Sequence, residues 1–374
     1  MRIMHTADWH IGKRLNAFDL QDDQAAVFER LVKVAQEQQV DAIMIAGDLY
    51  DRALPNETAV TMVNGMLHRL NRELGYPLLV ISGNHDSAVR LGTGREWYDA
   101  TQLYLNTELA QAFTPVELGD VQFFLLPYFE PVAARLYFHD DSLTNINKAM
   151  HRVAAALEEK FDPAKKHVLI AHFFAAGSKH SESETLVNVG GLDAVSVDDL
   201  QAFDYVALGH LHNRKALNEP KVQYSGSLLK YSVSEVTQEK GVYILDTDTM
   251  NRHFISLAPL HEVQQLTGSF KEFSDSDHFS AAERDAYTAI TLTDVEVIPN
   301  VMASLRQVFP RIIELKREQH VQLETATQTN VKLGPMPLLA DFYQQVTGSE
   351  LTPEQETWAK AALAEASRSE LGQE

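Results

Sequence analysis

The chain has no cysteine among its 374 residues. A disulfide framework is therefore excluded, and any bound metal must be held by imidazole, carboxylate and amide groups rather than thiolate. Long apolar runs are also missing. The longest, residues 121–129, is broken by Gln122 and Pro127 and falls short of the roughly 20 residues that cross a bilayer. No charged and then apolar leader precedes the first strand-like run, so no export signal is expected, and the lack of thiols fits a reducing cytoplasm. Basic residues are scarce: 32 Lys and Arg face 52 Asp and Glu, a net charge of −20. Phosphate contacts need Lys and Arg, so this balance argues against holding nucleic acid through a broadly basic surface. A nuclease is still allowed. Metal-ligating carboxylates account for part of the excess, and residues 350–374 hold six Glu against Lys360 and Arg368. If the substrate is DNA, a partner supplies much of the grip.

Hydrophobic residues make up 45% of the chain, enough for sizeable cores in the two to three domains expected at about 150 residues each. From residue 2 to about 257, strand-like and helix-like segments alternate, which is the pattern of a layered α/β domain. Helices are expected over 22–38, 56–73 and 145–159. In the second, Val60, Val63, Leu67 and Leu70 form one apolar stripe, suited to packing on a sheet or to a subunit contact. A boundary falls near Ala258-Pro259. A small αβ module over 259–325 follows, with strands at 263–266, 287–292 and 311–315, a polar loop at 274–283 and a helix opened by Pro299. Residues 326–337 read as a linker. Two short amphipathic helices over 338–374 come next, the second begun by the capping box Thr352-Pro353-Glu354-Gln355; they suit partner binding or folding back on the chain.

Five strand-like runs end in residues that can ligate metal. The first reaches Asp8-Trp9-His10, the second Gly47-Asp48, the third Gly83-Asn84-His85-Asp86, the fourth His172 and the fifth Gly209-His210-Leu211-His212. In open α/β sheets ligands gather where strands end. Asp8 and His10, two apart on an extended segment, are expected to project to one side. Asp48 offers two oxygens that can face two ions, and the mixture of nitrogen and oxygen donors suits manganese, iron or zinc better than calcium. A cation pair about 3.5–4 Å apart polarises a phosphoryl group, activates a water and stabilises the leaving oxygen, so a phosphoester hydrolase follows. His85 is the natural proton donor to the leaving oxygen, with Asp86 to orient its ring. His5, His68, His139, His151, His253, His261, His278 and His320 are read as ordinary core or surface residues, and Trp9 as packing.

These motifs together resemble the calcineurin-like metallophosphoesterases, and within them the nuclease branch that works with an ATPase. The likeness continues through Ser181-Glu182-Ser183-Glu184, Gly190-Gly191 and Tyr224-Ser225-Gly226-Ser227. It implies a layered core of β-sheets flanked by helices over 1–258, a capping DNA-recognition domain over 259–325 and C-terminal helices that grip the ATPase. It also implies one metal held by Asp8, His10, Asp48 and His212 and a second held by Asp48, Asn84, His172 and His210, with His85 catalytic. Manganese is the implied cofactor, with magnesium possible. The implied activity is double-strand exonuclease, single-strand endonuclease and hairpin opening, in DNA replication, recombination and repair. A dimer through helices near the N-terminus is implied as well. Substrate contacts are expected at Arg14, Arg52, Arg90, Ser225 and Ser227, with Lys179 and Lys230 as further phosphate contacts. The pattern departs from its relatives at two points. Archaeal and eukaryotic members carry a second functional His shortly after Gly-Asp, where Asp51 stands here, and many bacterial members have Pro at the position of Leu228.

Two other readings fit parts of the pattern. Gly47-Asp48-Leu49-Tyr50-Asp51-Arg52 is near the Gly-Asp-x-x-Asp-Arg of Ser/Thr phosphatases, although Ala53 and Asp86 depart from it. A non-catalytic DNA-end binding module would need no intact ligand set, yet every ligand is present.

Overall fold

The computed structural model describes residues 1–179, 194–318 and 335–370. Its strands are β1 Arg2–Thr6, β2 Arg14–Leu15, β3 Phe18–Asp19, β4 Ala42–Ala46, β5 Leu78–Ile81, β6 Leu103–Asn106, β7 Val116–Leu118 and β8 Val121–Leu126. They continue with β9 Lys166–His172, β10 Tyr205–Gly209, β11 Val222–Tyr224, β12 Gly241–Asp246, β13 Asn251–Ser256, β14 Val263–Gly268, β15 Tyr287–Leu292 and β16 Ile312–Arg317. Two sheets form the core, one in the order β13-β12-β1-β4-β5-β6 and the other β11-β10-β9-β8-β7. The centre of each is parallel: β1 with β4 and β4 with β5 in the first, β8 with β9 and β9 with β10 in the second. Parallel strands buried on both faces need apolar residues at every position, and β4 and β5 are buried throughout.

Alternate residues of the two sheets meet to form the innermost layer. Ile3, Met44, Leu79 and Ile81 from one pack against Phe123, Leu125, Val168 and Ile170 from the other. The outward residues of the first sheet pack with Val27, Phe28, Leu31 and Val63 of helices Gln21–Glu37 and Glu57–His68. Those of the second pack with Met150, Val153 and Leu157 of helix Ile146–Glu158. The result is a helix–sheet–sheet–helix sandwich. His5, at the centre of the inner layer, is fully buried and bonded to Tyr205 Oη at 3.0 Å and Leu208 O at 3.2 Å; it is a satisfied core residue.

The expected helix over 56–73 is an α-helix only as far as His68, and Arg69–Glu73 continues it as a wider π turn. The extra residue in that turn brings Asn71 inward to donate to Tyr76 O and Thr101 O, a backbone demand that apolar periodicity cannot reveal. Val63 and Leu70 are buried on the sheet, as packing requires, while Val60 is exposed.

Residues Met1–Lys316 form one compact unit. Sheet β14-β15-β16 has a core of its own around Phe273, Leu292, Leu305 and Phe309. Its other side joins the first sheet's cluster through Val263, Tyr287, Ala289 and Ile313, beside Leu228 and Tyr231. Asp23 is the polar link. Its carboxylate accepts from His261 N at 3.1 Å, His261 Nδ1 at 3.0 Å and Tyr287 Oη at 2.9 Å. The polar loop expected over 274–283 contains a turn at Ser276–His278 and runs into helix Ala281–Asp285, capped by a Ser280–Glu283 box.

The second unit, Arg317–Glu374, contains helices Pro335–Thr347 and Pro353–Glu370. The first begins inside the expected linker, of which 326–334 lie outside the described residues, as do Ser181–Glu184, Gly190-Gly191 and His320. Gln355 Oε1 accepts from Thr352 N at 2.9 Å, and its Nε2 donates to Tyr343 Oη at 3.1 Å. Phe342, Val346 and Trp358 are exposed.

Hydrogen bonds to a charged carboxylate are worth about 1.5–3 kcal/mol each. Asp23→Ala should therefore lower unfolding stability by at least about 2 kcal/mol in a urea titration, and a loss below about 0.5 kcal/mol would show that apolar contacts alone dock the small sheet.

Candidate metal centre

Every ligand-type residue emerges where a buried strand stops. Asp8 and His10 follow β1, Asp48 follows β4, Asn84 follows β5, His172 ends β9, and His210 and His212 follow β10. The segment after β1 is not extended, as its spacing suggested. Asp8, His10 and Asp48 all have left-handed backbones, with φ of 52°, 45° and 52°. The two loops run side by side instead, Asp8 N donating to Gly47 O at 3.1 Å, His10 N to Asp48 O at 3.0 Å and Ile11 N to Leu49 O at 2.9 Å. Those bonds hold conformations that cost of order 1–3 kcal/mol each for residues with a Cβ. Trp9, between the two ligands, points into the core and donates to Thr6 Oγ1.

The seven side chains converge. Asp48 Oδ2 lies 3.3 Å from His172 Nε2 and 3.6 Å from His10 Nε2, so this carboxylate stands between two groups of donors. On one side His10 Nε2 is 3.1 Å from His212 Nε2, and Asp8 Oδ1 accepts from His210 N at 2.8 Å. On the other, Asn84 Oδ1 sits 3.0 Å from both His172 Nε2 and His210 Nδ1. All but Asn84 are buried. Ligand atoms of Asp8, His10 and Asp48 lie within 4.8 Å of one another, as do those of His10, Asp51 and His85, so both groups could hold an ion.

The hydrogen-bond partners of the rings constrain where their protons can sit. His172 Nδ1 is 2.8 Å from Ala46 O and must donate to it, so in the neutral ring the Nε2 lone pair faces the Asn84 oxygen and Asp48. His212 Nδ1 is 3.2 Å from Glu235 Oε1, and its Nε2 faces that of His10. Asp8 Oδ2 is buried with no hydrogen-bond partner among the described residues. Several buried acceptors pointing at one another with too few protons between them fit a divalent cation.

The titration behaviour agrees. Burial opposes a charged His172 ring, but Asp48, by charge and hydrogen bond, and Asp8 outweigh it and push its pKa up to about 9. Burial likewise opposes the Asp48 charge, yet His172 and His10 hold that carboxyl well below the usual range. Burial pushes Asp8 up to about 6 against the pull of His172 and His212, and burial together with Asp48 pushes Asp86 up to about 6. Burial and the neighbouring His172 drive His210 down to about 3. In this state a proton on His172 answers the concentration of negative charge that a cation would answer.

His85 lies beside the cluster, its ring 4.8 Å from that of His10 and edge-on to it. Its Nδ1 is 2.8 Å from the backbone oxygen of Asp51, so a carbonyl, rather than the Asp86 carboxylate, orients the ring. Asp86 instead accepts from the backbone N–H groups of Leu49 (3.2 Å), Tyr50 (3.0 Å) and Gly83 (2.9 Å). It clamps the loop of Asp48 to the loop of Asn84, because three backbone donors turned inward at the strand ends need an acceptor.

The expected substrate contacts divide. Arg52 is exposed beside Asp51, with Nε 3.5 Å from its Oδ2; Arg14 donates to Ala17 O and Arg90 is solvated on helix Ala88–Leu91. Ser225 and Ser227 are 1% and 0% exposed. Their hydroxyls serve Gly226 O and Leu229 O, so these serines shape the loop under His212 and do not face a ligand. Lys230 is bonded to Val236 O and Glu262, which leaves Lys179 as the exposed lysine of the two. Sequence reasoning missed Glu235 and Lys240, both buried beneath His212. No spacing motif marks them, and Glu235 lies in a short 3-10 turn, Val233–Glu235.

A double sheet whose parallel strand ends collect this donor set defines a phosphoesterase. Residues 1–214 match the family described as calcineurin-like phosphoesterase, and the chain belongs to that family. Residues 259–347 match the type 5 capsule protein repressor C-terminal domain. Over 367 residues the chain is 34% identical to the SbcD subunit of the SbcCD nuclease of Staphylococcus epidermidis, covering 97% of this chain and 98% of that one, so within the family it is of the SbcD type. Among solved structures, TT1561 of Thermus thermophilus is 12% identical with a TM-score of 0.41, over 69% of this chain and 99% of that one. The phosphoesterase Yfce from E. coli is 14% identical with a TM-score of 0.29, over 69% and 100%.

The family implies divalent metal ions, and without them His172 should govern stability above neutral pH. Its folded-state pKa of about 9 exceeds the ordinary 6.5, so its contribution is complete below about 6.5 and is lost as pH rises through about 9. With chelator present, the urea midpoint should fall between pH 6.5 and 9, and His172→Asn should flatten that slope. Equal slopes would show that Asp48 does not grip the ring.

Proposed function

We propose that this protein is a metal-dependent DNA nuclease that processes DNA ends together with an SbcC-type ATPase. The reading is carried by one observation: seven donor side chains from five strand ends meet, with Asp48 between the others, in a chain alike over nearly its whole length to a nuclease subunit. Asp8, His10, Asp48 and His212 would hold one ion, and Asp48, Asn84, His172 and His210 the other. The nitrogen and oxygen donors suit manganese, with magnesium as the alternative. Such a pair supplies Lewis-acid polarisation of the phosphoryl oxygen and a nucleophilic water at neutral pH.

The protein's own residues do the rest. Asp86 holds the Asp48 and Asn84 loops in register. Asp51 O fixes His85 Nδ1, so Nε2 is the nitrogen that hands a proton to the leaving oxygen. No covalent intermediate on a side chain is required. The activities are double-strand exonuclease, dependent on ATP through the partner, and single-strand endonuclease with hairpin opening, in replication, recombination and repair. The exposed apolar residues Phe342, Val346 and Trp358 support an ATPase-binding role for the two C-terminal helices. The assembly is a homodimer within a heterotetramer, in the cytoplasm at the nucleoid. No helix among the described residues is long and apolar enough to cross a membrane.

End-labelled linear duplex and single strands, incubated with manganese or chelator and with or without the ATPase, test this. Cleavage should require metal, be lost in Asp48→Ala and fall about 10²–10⁴-fold in His85→Ala, the range of a proton-transfer group. Equal cutting by wild type and Asp48→Ala would end the two-ion assignment. Hydrolysis of p-nitrophenyl phosphate without DNA cleavage would favour a phosphatase, and stoichiometric metal with no cleavage a binding module.

Deletion of residues 338–374 should leave metal-dependent cutting of single strands and abolish association with the ATPase in a pull-down. Unchanged association would return those helices to a structural role.

A further inference from the structure

Beneath the metal centre lies an ion pair that the reaction itself does not use. Glu235 is fully buried, and Lys240 is 6% exposed. Lys240 Nζ lies 2.5 Å from Glu235 Oε2 and also donates to His212 O at 2.9 Å, Ser227 Oγ at 2.9 Å and Gln238 Oε1 at 2.8 Å. The other oxygen of Glu235 is 3.2 Å from His212 Nδ1. The pair therefore holds His212 at both ends, Glu235 at the ring and Lys240 at the carbonyl. A buried ion pair is a weak source of stability, because desolvation offsets the attraction. Packing does not account for placing two charges there, whereas a positioning task does.

We propose that Glu235, neutralised by Lys240, is the positioning residue that sets the tautomer and ring orientation of His212. A carboxylate paired with a lysine accepts and does not donate. His212 must then carry its proton on Nδ1, which presents the Nε2 lone pair to the space shared with His10, Asp8 and Asp48. His172 is set the same way by a different group, the Ala46 carbonyl. Carboxylates behind histidine ligands raise their basicity, and removing one costs about 10–100-fold in metal affinity. Lys240 cancels the added charge, so the geometry is fixed without raising the net negative charge of a pocket already holding Asp8 and Asp48.

The inference rests on the metal-centre reading above, and its test separates the two. In full-length wild type labelled with 15N-histidine, with chelator at pH 8, long-range proton–nitrogen correlation should find His212 protonated at Nδ1; protonation at Nε2 overturns the proposal whatever the variants do. In Glu235→Ala/Lys240→Met, which removes both charges together, affinity for one Mn2+, read from the free-ion electron paramagnetic resonance signal, should fall about 10–100-fold. Glu235→Gln/Lys240→Met, which keeps a carbonyl acceptor for Nδ1, should recover most of it. Wild-type Mn2+ affinity in the alanine variant would remove this inference and leave the metal centre standing. An absence of Mn2+ binding in wild type would remove both.

Discussion

The loops of the two sheets can meet only because side chains are missing at the points of closest approach. At Gly83 a Cβ would overlap Asp48 Oδ1 and the Asp48 backbone nitrogen, and at Gly209 it would overlap Ala46 O. The first contact sets β5's loop against β4's within one sheet, and the second sets β10's tip against β4 across the sandwich. Seven donors can share one small volume only if their main chains come this near, and only glycine allows that approach. The left-handed backbones of Asp8, His10 and Asp48 follow from the same crowding, since the loops turn back sharply to run beside each other.

Such crowding concentrates unlike demands. Three buried carboxylates, Asp8, Asp48 and Asp86, lie close together, and each has a different answer. Asp48 faces histidine rings, Asp86 is saturated by backbone N–H groups, and Asp8 keeps one oxygen without a described partner. That division separates structural from ligating roles: a carboxylate whose acceptors are filled by the main chain is a clamp, and one left short is available to a ligand. The histidines divide similarly, with Ala46 O, Asp51 O and Glu235 each holding the Nδ1 of one ring.

Much of this was legible in the chain. The strands β1, β4, β5, β9 and β10 announce themselves as short apolar runs closed by polar or glycine residues, and the donors at their ends were readable because local sequence places them there. What sequence could not show depends on main-chain atoms and distant partners. The orienter of His85 is a carbonyl, which every residue has; the partners of Asp23 lie more than 200 residues away, His261 just before β14 and Tyr287 in β15. Ser225 and Ser227 look like surface polar residues, yet the loop they occupy is buried under His212. Glu235 lacks the spacing of a motif, and its role exists only once β10's tip is packed on the turn that carries it. The π turn at Arg69–Glu73 answers a local need of Asn71 that the apolar stripe does not carry.

The donors are spread along the chain from Asp8 to His212, and the pair that steadies the last of them extends to Lys240. During synthesis Asp8 leaves the ribosome first and has no complete set of neighbours until the segment beyond β11 has followed. A nascent chain that ends before β10 carries five of the seven donors and lacks the two histidines that follow that strand. The donor set is therefore complete only once β10 and the residues after it as far as His212 have been made.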